Sequence, residues 1–436
     1  MGAGRISIAG MATIKGLTLH AFSINNEGGL AHFFQGPDNV WQVGNTPANP
    51  PTGNTQPSAF VSVKAVNAIP AGVAFALCTL DSNGLLWFAT ADANVQTWGS
   101  AWQALGAGQG ATGTNFSSFD IVSDAYLGLI LVAISSAIQP GWTTNIPNGG
   151  TVFNGLADFR IFSTANQTSW TIGWPAPAPN QRFPYGFGAP FGGSATPYPP
   201  IISNVSIAEN NGGPQNIAPI VSGVMAGVVM SLYVDPNSGN WEWSAVPTVP
   251  TTNPPIATAP YPFLKSVFLT SLTPFPTILI DENGNIYQNV AGDAIGSTWT
   301  YQGVINPPGM PQIAFAKVVS TNTYPLDANG NPANTLIALG RQTGAVESQP
   351  FLMTAPANTL NWTWQGPLPG LPARTIPRPP RRAPPPNCID FDVAVRGDTQ
   401  NVQVVLLGGD GNVYINFQNA QGGWAIYAGA KGGGLP

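Results

Sequence analysis

Seven segments of this chain set tryptophan in a recurring context: Val-Trp41-Gln-Val-Gly, Ala-Trp102-Gln-Ala-Leu-Gly, Ser-Trp170-Thr-Ile-Gly, Asn-Trp241-Glu-Trp243, Thr-Trp299-Thr-Tyr-Gln-Gly, Asn-Trp362-Thr-Trp364-Gln-Gly and Gly-Trp424-Ala-Ile-Tyr-Ala-Gly. An indole offers a flat apolar face and one N–H donor, a pairing that suits stacking on the C–H face of a sugar while polar neighbours bind hydroxyls. The same residue at a fixed place in a repeat also packs one unit against the next. Both readings concern recognition or architecture, and neither requires the chain to make or break a bond.

Groups that could do catalysis are few. There are 19 Asp and Glu and two histidines, His20 and His32, both inside predicted strands. Glycoside hydrolysis needs two facing carboxylates. Ser163-Thr-Ala-Asn166-Gln-Thr-Ser-Trp170 resembles the Asp-box of sialidases, but Ala165 stands where the Asp belongs. Arginines outside the 366–387 segment are scattered at Arg5, Arg160, Arg182, Arg341 and Arg396, with no sign of a cluster for a sugar carboxylate. The expectation is a protein that is not an enzyme. Asp281-Glu-Asn283-Gly-Asn285 and Asp327-Ala-Asn329-Gly-Asn331 resemble the start of calcium loops. Both lack the later bidentate Glu, and hairpin turns use the same letters. No cofactor is expected beyond weak calcium at Asp327. Cys78 and Cys388 are too few for a disulfide scaffold and fall in units that are not neighbours, so both thiols should be free and mostly buried.

The elements that would position the tryptophans repeat with them. In the second unit, Phe60-Val-Ser-Val-Lys-Ala-Val and Val73-Ala-Phe-Ala-Leu-Cys-Thr-Leu read as strands. Asp81-Ser-Asn83-Gly84 reads as a tight turn, because Asn-Gly supplies positive φ. Leu85-Leu-Trp87-Phe-Ala-Thr then returns as a third strand, and Trp98 and Trp102 flank a short fourth. Similar turns occur at Asn26-Glu-Gly28-Gly29, Asp281-Glu-Asn283-Gly284 and Asp410-Gly411-Asn412. Four strands joined by short turns make one propeller blade. The chain of 436 residues divided by seven gives about 62 per unit, more than a WD40 or kelch blade needs. The excess lies in connectors such as 175–200 and 366–387, which are Pro-rich and extended.

The expectation is therefore an all-β chain: a single-domain, seven-bladed β-propeller of four-stranded antiparallel blades. Approximate blades fall at 1–58, 59–114, 115–200, 201–262, 263–311, 312–387 and 388–436. The first and last units each read as holding four strands of their own, so closure would come from side-chain packing between blades one and seven.

Composition narrows the partners. Charged residues are 8% of the chain, against roughly 25% in a typical soluble domain. Gly (51) and Pro (44) are abundant, and 13 Trp, 21 Phe and 10 Tyr argue against disorder. A net charge of −5 with 14 Lys and Arg argues against nucleic acid as ligand. No apolar run is long enough for a helical membrane span. The N-terminus reads as a first strand rather than a classical signal peptide, which leaves the compartment open between cytoplasmic and released or surface-associated. Arg374-Thr-Ile-Pro-Arg378-Pro-Pro-Arg381-Arg382 reads as a stiff connector, with docking of a protein partner as the alternative.

The unit of apolar strand, [Asp/Asn]-x-Asn-Gly turn, Leu-Trp-Phe strand and Trp-x-x-[Leu/Val/Tyr]-Gly resembles the tectonin-like and related seven-bladed propeller lectins of bacteria and fungi. Asp81 to Gly106 carries the resemblance best, with Asp281 to Gly303 and Gly409 to Gly429 similar. The resemblance implies sugar pockets between neighbouring blades, walled by Trp and small polar residues, and no catalysis. It implies ligand-binding roles for Trp41, Trp102, Trp170, Trp299, Trp362 and Trp424. Partners would be glycans or glycoconjugates, with a homo-oligomer or larger assembly as a further possibility. The rival expectation is a structural or adhesive propeller that docks proteins within a virion, appendage or toxin complex.

Overall fold

The computed structural model describes residues 4–13, 16–35, 41–52, 54–67, 73–92, 98, 101–105, 116–124, 128–138, 157–164, 171–173, 202–208, 220–225, 228–234, 241–245, 264–269, 277–281, 283–289, 299–303, 313–321, 333–356, 359, 361–368, 388–395, 401–409, 411–418 and 424–428. Among them every element is a strand. Sheet 1 comprises β1 (Ile6–Thr13), β2 (Gly16–Ile24), β3 (Leu30–Gln35) and β4 (Trp41–Val43). Sheet 2 comprises β5 (Phe60–Asn67), β6 (Val73–Asp81), β7 (Leu86–Asp92) and β8 (Gln103–Leu105). Sheet 3 follows with β9 (Phe116–Asp124), β10 (Gly128–Ile138), β11 (Ala157–Thr164) and β12 (Thr171–Gly173). Sheet 4 holds β13 (Ile202–Ala208), β14 (Ile220–Met225), β15 (Val228–Val234) and β16 (Trp241–Ala245). Sheet 5 holds β17 (Leu264–Leu269), β18 (Thr277–Asp281), β19 (Ile286–Asn289) and β20 (Trp299–Gly303). Sheet 6 is built from β21 (Ile313–Ser320), β22 (Ala333–Gln342), β23 (Ser348–Pro356) and β24 (Thr363–Pro367). Sheet 7 ends the series with β25 (Cys388–Val395), β26 (Val402–Gly408), β27 (Val413–Gln418) and β28 (Trp424–Ala428). Each sheet is an antiparallel meander in which strands pair in chain order.

The turns between second and third strands show how local sequence sets this pattern. Asn25 Oδ1 accepts the N–H groups of Glu27 and Gly29. Asp81 Oδ1 does the same for Asn83 and Leu85, and Asp281 Oδ1 for Asn283 and Asn285. A short carboxylate or amide side chain thus holds its own turn, and Gly28, Gly84, Gly284 and Gly411 take φ of 82°, 77°, 80° and 79°. The turn also reaches the next sheet. Gly28, Gly84 and Gly284 carbonyls accept N–H bonds of 2.9, 2.8 and 3.1 Å from Phe60, Phe116 and Phe315, each near the start of the first strand of the following sheet. A Cβ on Gly284 would lie 2.4 Å from the Phe315 nitrogen. Glycine is needed there twice over, for its backbone angle and for the close approach. Asp281 Oδ2 accepts the Asn285 amide at 2.7 Å, so its carboxylate serves the turn; Asp327 lies outside the described residues.

First strands carry a second device. Pairing with the second strand shifts by one residue between Phe60 and Ser62, between Phe315 and Lys317, and between Cys388 and Asp390, with similar shifts in sheets 3, 4 and 5. Such bulges re-aim the residues beyond them, and a few residues on, polar side chains bond to the next sheet. Asp120 Oδ2 of β9 accepts Ile207 N–H of β13 at 3.1 Å. Asp392 Oδ2 of β25 accepts Ile8 N–H of β1 at 3.0 Å, and the Ser7 hydroxyl at 2.9 Å. Ser7 Oγ in turn accepts Ala65 N–H of β5. Sheet 7 thus meets sheet 1 through the same bond that joins sheet 3 to sheet 4.

Contacts run from each sheet to the next, and β1 touches both β5 and β25. Ile6, Ile8 and Leu19 of sheet 1 share one apolar cluster with Val405, Leu407 and Ile415 of sheet 7. Sheet 7 is further tied to its neighbours by Asp390, whose Oδ1 accepts Lys317 Nζ of sheet 6 at 2.7 Å and whose Oδ2 accepts the Arg5 and Ile6 N–H groups of sheet 1. Lys317 also donates to the Phe391 carbonyl. For a buried pair of this kind the cost of desolvation offsets much of the mutual attraction.

Candidate functional site

The motif tryptophans stand at, or one position before, the start of the fourth strand of their sheets. Trp41, Trp241, Trp299 and Trp424 are the first residues of β4, β16, β20 and β28. Trp102 and Trp362 directly precede β8 and β24. Trp170 lies outside the described residues, one position before β12. Four of the indoles pack at the junction with the preceding sheet. Trp41 enters the cluster shared with sheet 7, Trp102 the one shared with sheet 1, Trp362 sits against sheet 5 and Trp424 against sheet 6.

Exposure separates them. Trp41 and Trp102 are only 5% and 4% exposed, and Trp102 lies against Phe60 with ring centroids 5.3 Å apart. Neither has a face open to a ligand in this packing. Trp362 and Trp424 are half-buried, and so is Trp364. Residues two apart on a strand share a face, which puts Trp362 and Trp364 side by side on the sheet 5 junction. Trp364 stacks on Phe351 at 5.1 Å with 28° between planes, which fixes its ring from below. Thr363 and Gln365 project to the exposed side, where Gln365 Nε2 donates to Thr354 Oγ1 at 3.0 Å. Neither β23 nor β24 contains a charged residue. Apolar rings edged by neutral hydrogen-bonding groups suit a neutral, hydroxyl-rich molecule.

Trp364 is the residue that the recurring motif obscures. Its signal is an aromatic two positions beyond the motif tryptophan, a feature shared by Trp243 and Tyr301. Trp98 corrects another expectation, since the fourth strand of sheet 2 begins after Trp102 and not between the two tryptophans. Trp98 instead makes a lone bridge to Ala91, and its Nε1–H donates to the Asn45 carbonyl at 2.8 Å.

The described carboxylates at the junctions are occupied as latches. Asp81 Oδ2 accepts Trp87 Nε1–H at 2.9 Å and the Ser58 N–H. Asp120 lies 3.9 Å from Lys64 Nζ, while Asp390 and Asp392 hold the seams of sheet 7. Burial pushes the Asp120 carboxyl up, with Lys64 opposing. Burial works against the Lys64 ammonium, yet Asp120, Asp392 and Asp390 outweigh it and raise its pKa. Cys78 and Cys388 are free and buried. Burial lifts the Cys78 thiol well above its ordinary value, and burial with the nearby Asp390 lifts Cys388 to about 12.

No family model matches the sequence, and comparison with curated proteins gives no match. Among solved structures the chain is similar to the BP39L lectin of Burkholderia pseudomallei, with a TM-score of 0.57 and 14% identity over 98% of this chain and 99% of that one. The likeness extends across nearly the whole chain and concerns the fold. A weaker likeness, TM-score 0.41 and 12% identity over 99% and 98%, is to the Aleuria aurantia lectin, described as a six-bladed β-propeller with a novel fucose recognition mode. A leech intramolecular trans-sialidase gives 0.37 and 10% identity over 98% and 68%.

Proposed function

We propose that the seven sheets are the blades of one closed ring, spanning the whole chain as a single domain. In this reading the ring binds carbohydrate without transforming it, at sites on the junctions between neighbouring blades. Closure is supported by the seam between sheets 7 and 1, which repeats both the carboxylate-to-backbone bond of an internal junction and its tryptophan packing. One observation carries the functional reading: the half-buried pair Trp362 and Trp364 on one junction, with Trp364 stacked on Phe351 and neutral polar groups at the edge. Fold similarity to a lectin agrees with it. Non-catalysis is supported by the buried carboxylates of Asp81, Asp120, Asp281, Asp390 and Asp392, whose oxygens hold turns and seams.

The candidate set narrows accordingly. Trp362, with Trp364 added, and Trp424 are platforms; Trp170 and Trp299 keep their proposed roles; Trp41 and Trp102 act as packing residues. Binding at each site is weak, and several sites on one rigid ring raise avidity by roughly 10²–10⁴. The reading needs no metal. A glycan array tests it: a dose-dependent signal on neutral glycans is expected, weaker when the ligand is presented sparsely. No signal at any density, together with stable capture by a protein partner, would replace it with the protein-docking ring.

A further inference from the structure

The only two histidines of the chain touch each other. His20 of β2 and His32 of β3 place Nδ1 and Nε2 2.9 Å apart, both rings buried. Their tautomers follow from the neighbours. The Asn45 carbonyl can only accept, and it takes Trp98 Nε1–H at 2.8 Å and His32 Nδ1 at 2.7 Å. His32 Nδ1 therefore carries the hydrogen, and in a neutral ring Nε2 is then the acceptor. His20 Nδ1–H must be the donor between the two rings. A single chain of bonds thus runs from His20 through His32 and Asn45 to Trp98, crossing from sheet 1 to sheet 2.

The rings packed around the pair are aromatic. From β2 and β3 come Phe22 and Phe34, from β6 Phe75, and from the segment between β7 and β8 Trp98. Across the β1–β2 pair His20 faces Ala9, and Gly44 backs His32 so closely that a Cβ would lie 2.3 Å from its Nδ1. Among the described titratable groups, the one in contact with each ring is the other histidine. Burial, then His32, lowers His20 to about 3, and burial lowers His32 to about 4 against the opposing Asn45 bond. One added proton can be met by a switch of the His20 tautomer. A second leaves Nδ1–H and Nε2–H pointing at each other in an aromatic box.

We infer that the His20–His32 pair is an acid-labile latch of the sheet 1–sheet 2 junction, holding while the two rings share one N–H···N bond and releasing when both are protonated. Release breaks the Asn45 bonds too, and frees the connector that follows β4 from Trp98. Because both rings bind protons less readily folded than unfolded, near 6.5 in a free chain, the unfolded state takes them up first. Stability contributed here is complete above about pH 6.5 and is lost as pH falls toward the folded values.

Histidine C2–H exchange read by mass spectrometry reports the charge of each ring, since there are two to follow. Amide exchange over residues 16–35, 41–52 and 73–92 reports the junction. Neither ring should charge between pH 7 and about 5, and protonation should coincide with loss of protection at this junction ahead of sheets 6 and 7. His20→Phe, which keeps an aromatic ring but removes one proton site together with the shared bond, should lower stability at neutral pH and halve the proton dependence of release. A ring that titrates near 6.5 while the junction stays protected overturns the latch. So does an unchanged proton dependence of release in His20→Phe, and the wild-type measurement decides the question if that variant does not fold.

Discussion

Gly284 offers a sharp test of how one sheet locks onto the next. Its φ is +80°, and an added Cβ would sit 2.4 Å from the Phe315 nitrogen and 2.6 Å from the Ala314 Cα, both backbone atoms of the next sheet. A left-handed angle costs an L-residue about 1–2 kcal/mol. The steric conflict adds about 1–3 kcal/mol because backbone cannot swing aside as a side chain can. Gly284→Ala should therefore destabilise by about 2–5 kcal/mol in all. Gly344 supplies the control, with φ of +85° and nothing within 4 Å of the place an added Cβ would take. Gly344→Ala should cost the backbone component alone, about 1–2 kcal/mol. Urea unfolding followed by tryptophan fluorescence measures both. Equal losses in the two variants would refute the idea that this turn presses on the following sheet.

Other consequences follow from burial and bonding. Asp392→Ala removes the acceptor for Ile8 N–H and Ser7 Oγ and should cost about 2–4 kcal/mol; limited proteolysis should then cut first near the sheet 1–sheet 7 seam, and uniform cutting would count against that seam. Trp102→Ala should lower stability by about 3–5 kcal/mol with glycan binding per folded molecule unchanged, whereas a selective binding loss would restore it as a platform. Native protein should react with no more than a trace of a thiol reagent at about pH 8, and denatured, unreduced protein with two equivalents; fewer after denaturation would mean a disulfide.

Local signals carried the repeat. Asp81-Ser-Asn83-Gly84 and Asp281-Glu-Asn283-Gly284 declare their turns because an Asx side chain and a glycine solve the turn without outside help. Trp102 marks the outer strand for the same reason, since it sits at a fixed place in the unit. What no local pattern declares is the match between distant strands. Asp392 meets Ser7 across 385 positions, and one extra residue at Ile389 decides which side chain points there. The His20–His32 contact depends on the β2–β3 register, where His20 faces Phe34 and His32 faces Phe22, so the two rings are diagonal rather than opposite neighbours. Tryptophan type alone likewise could not divide buried Trp41 from half-exposed Trp362, because the division depends on what the adjoining sheet presents.

The proposed stacking of sugar on half-buried tryptophans at sheet junctions is best put to the test by isothermal titration. The titrant is the strongest neutral glycan from the array, applied to wild type and to Trp364→Ala. Wild type should show more than one site per chain. Trp364→Ala should show one site fewer, with the unfolding midpoint lowered by no more than loss of a half-buried ring requires. An unchanged site number and affinity in a folded Trp364→Ala protein would rule out the tryptophan platform.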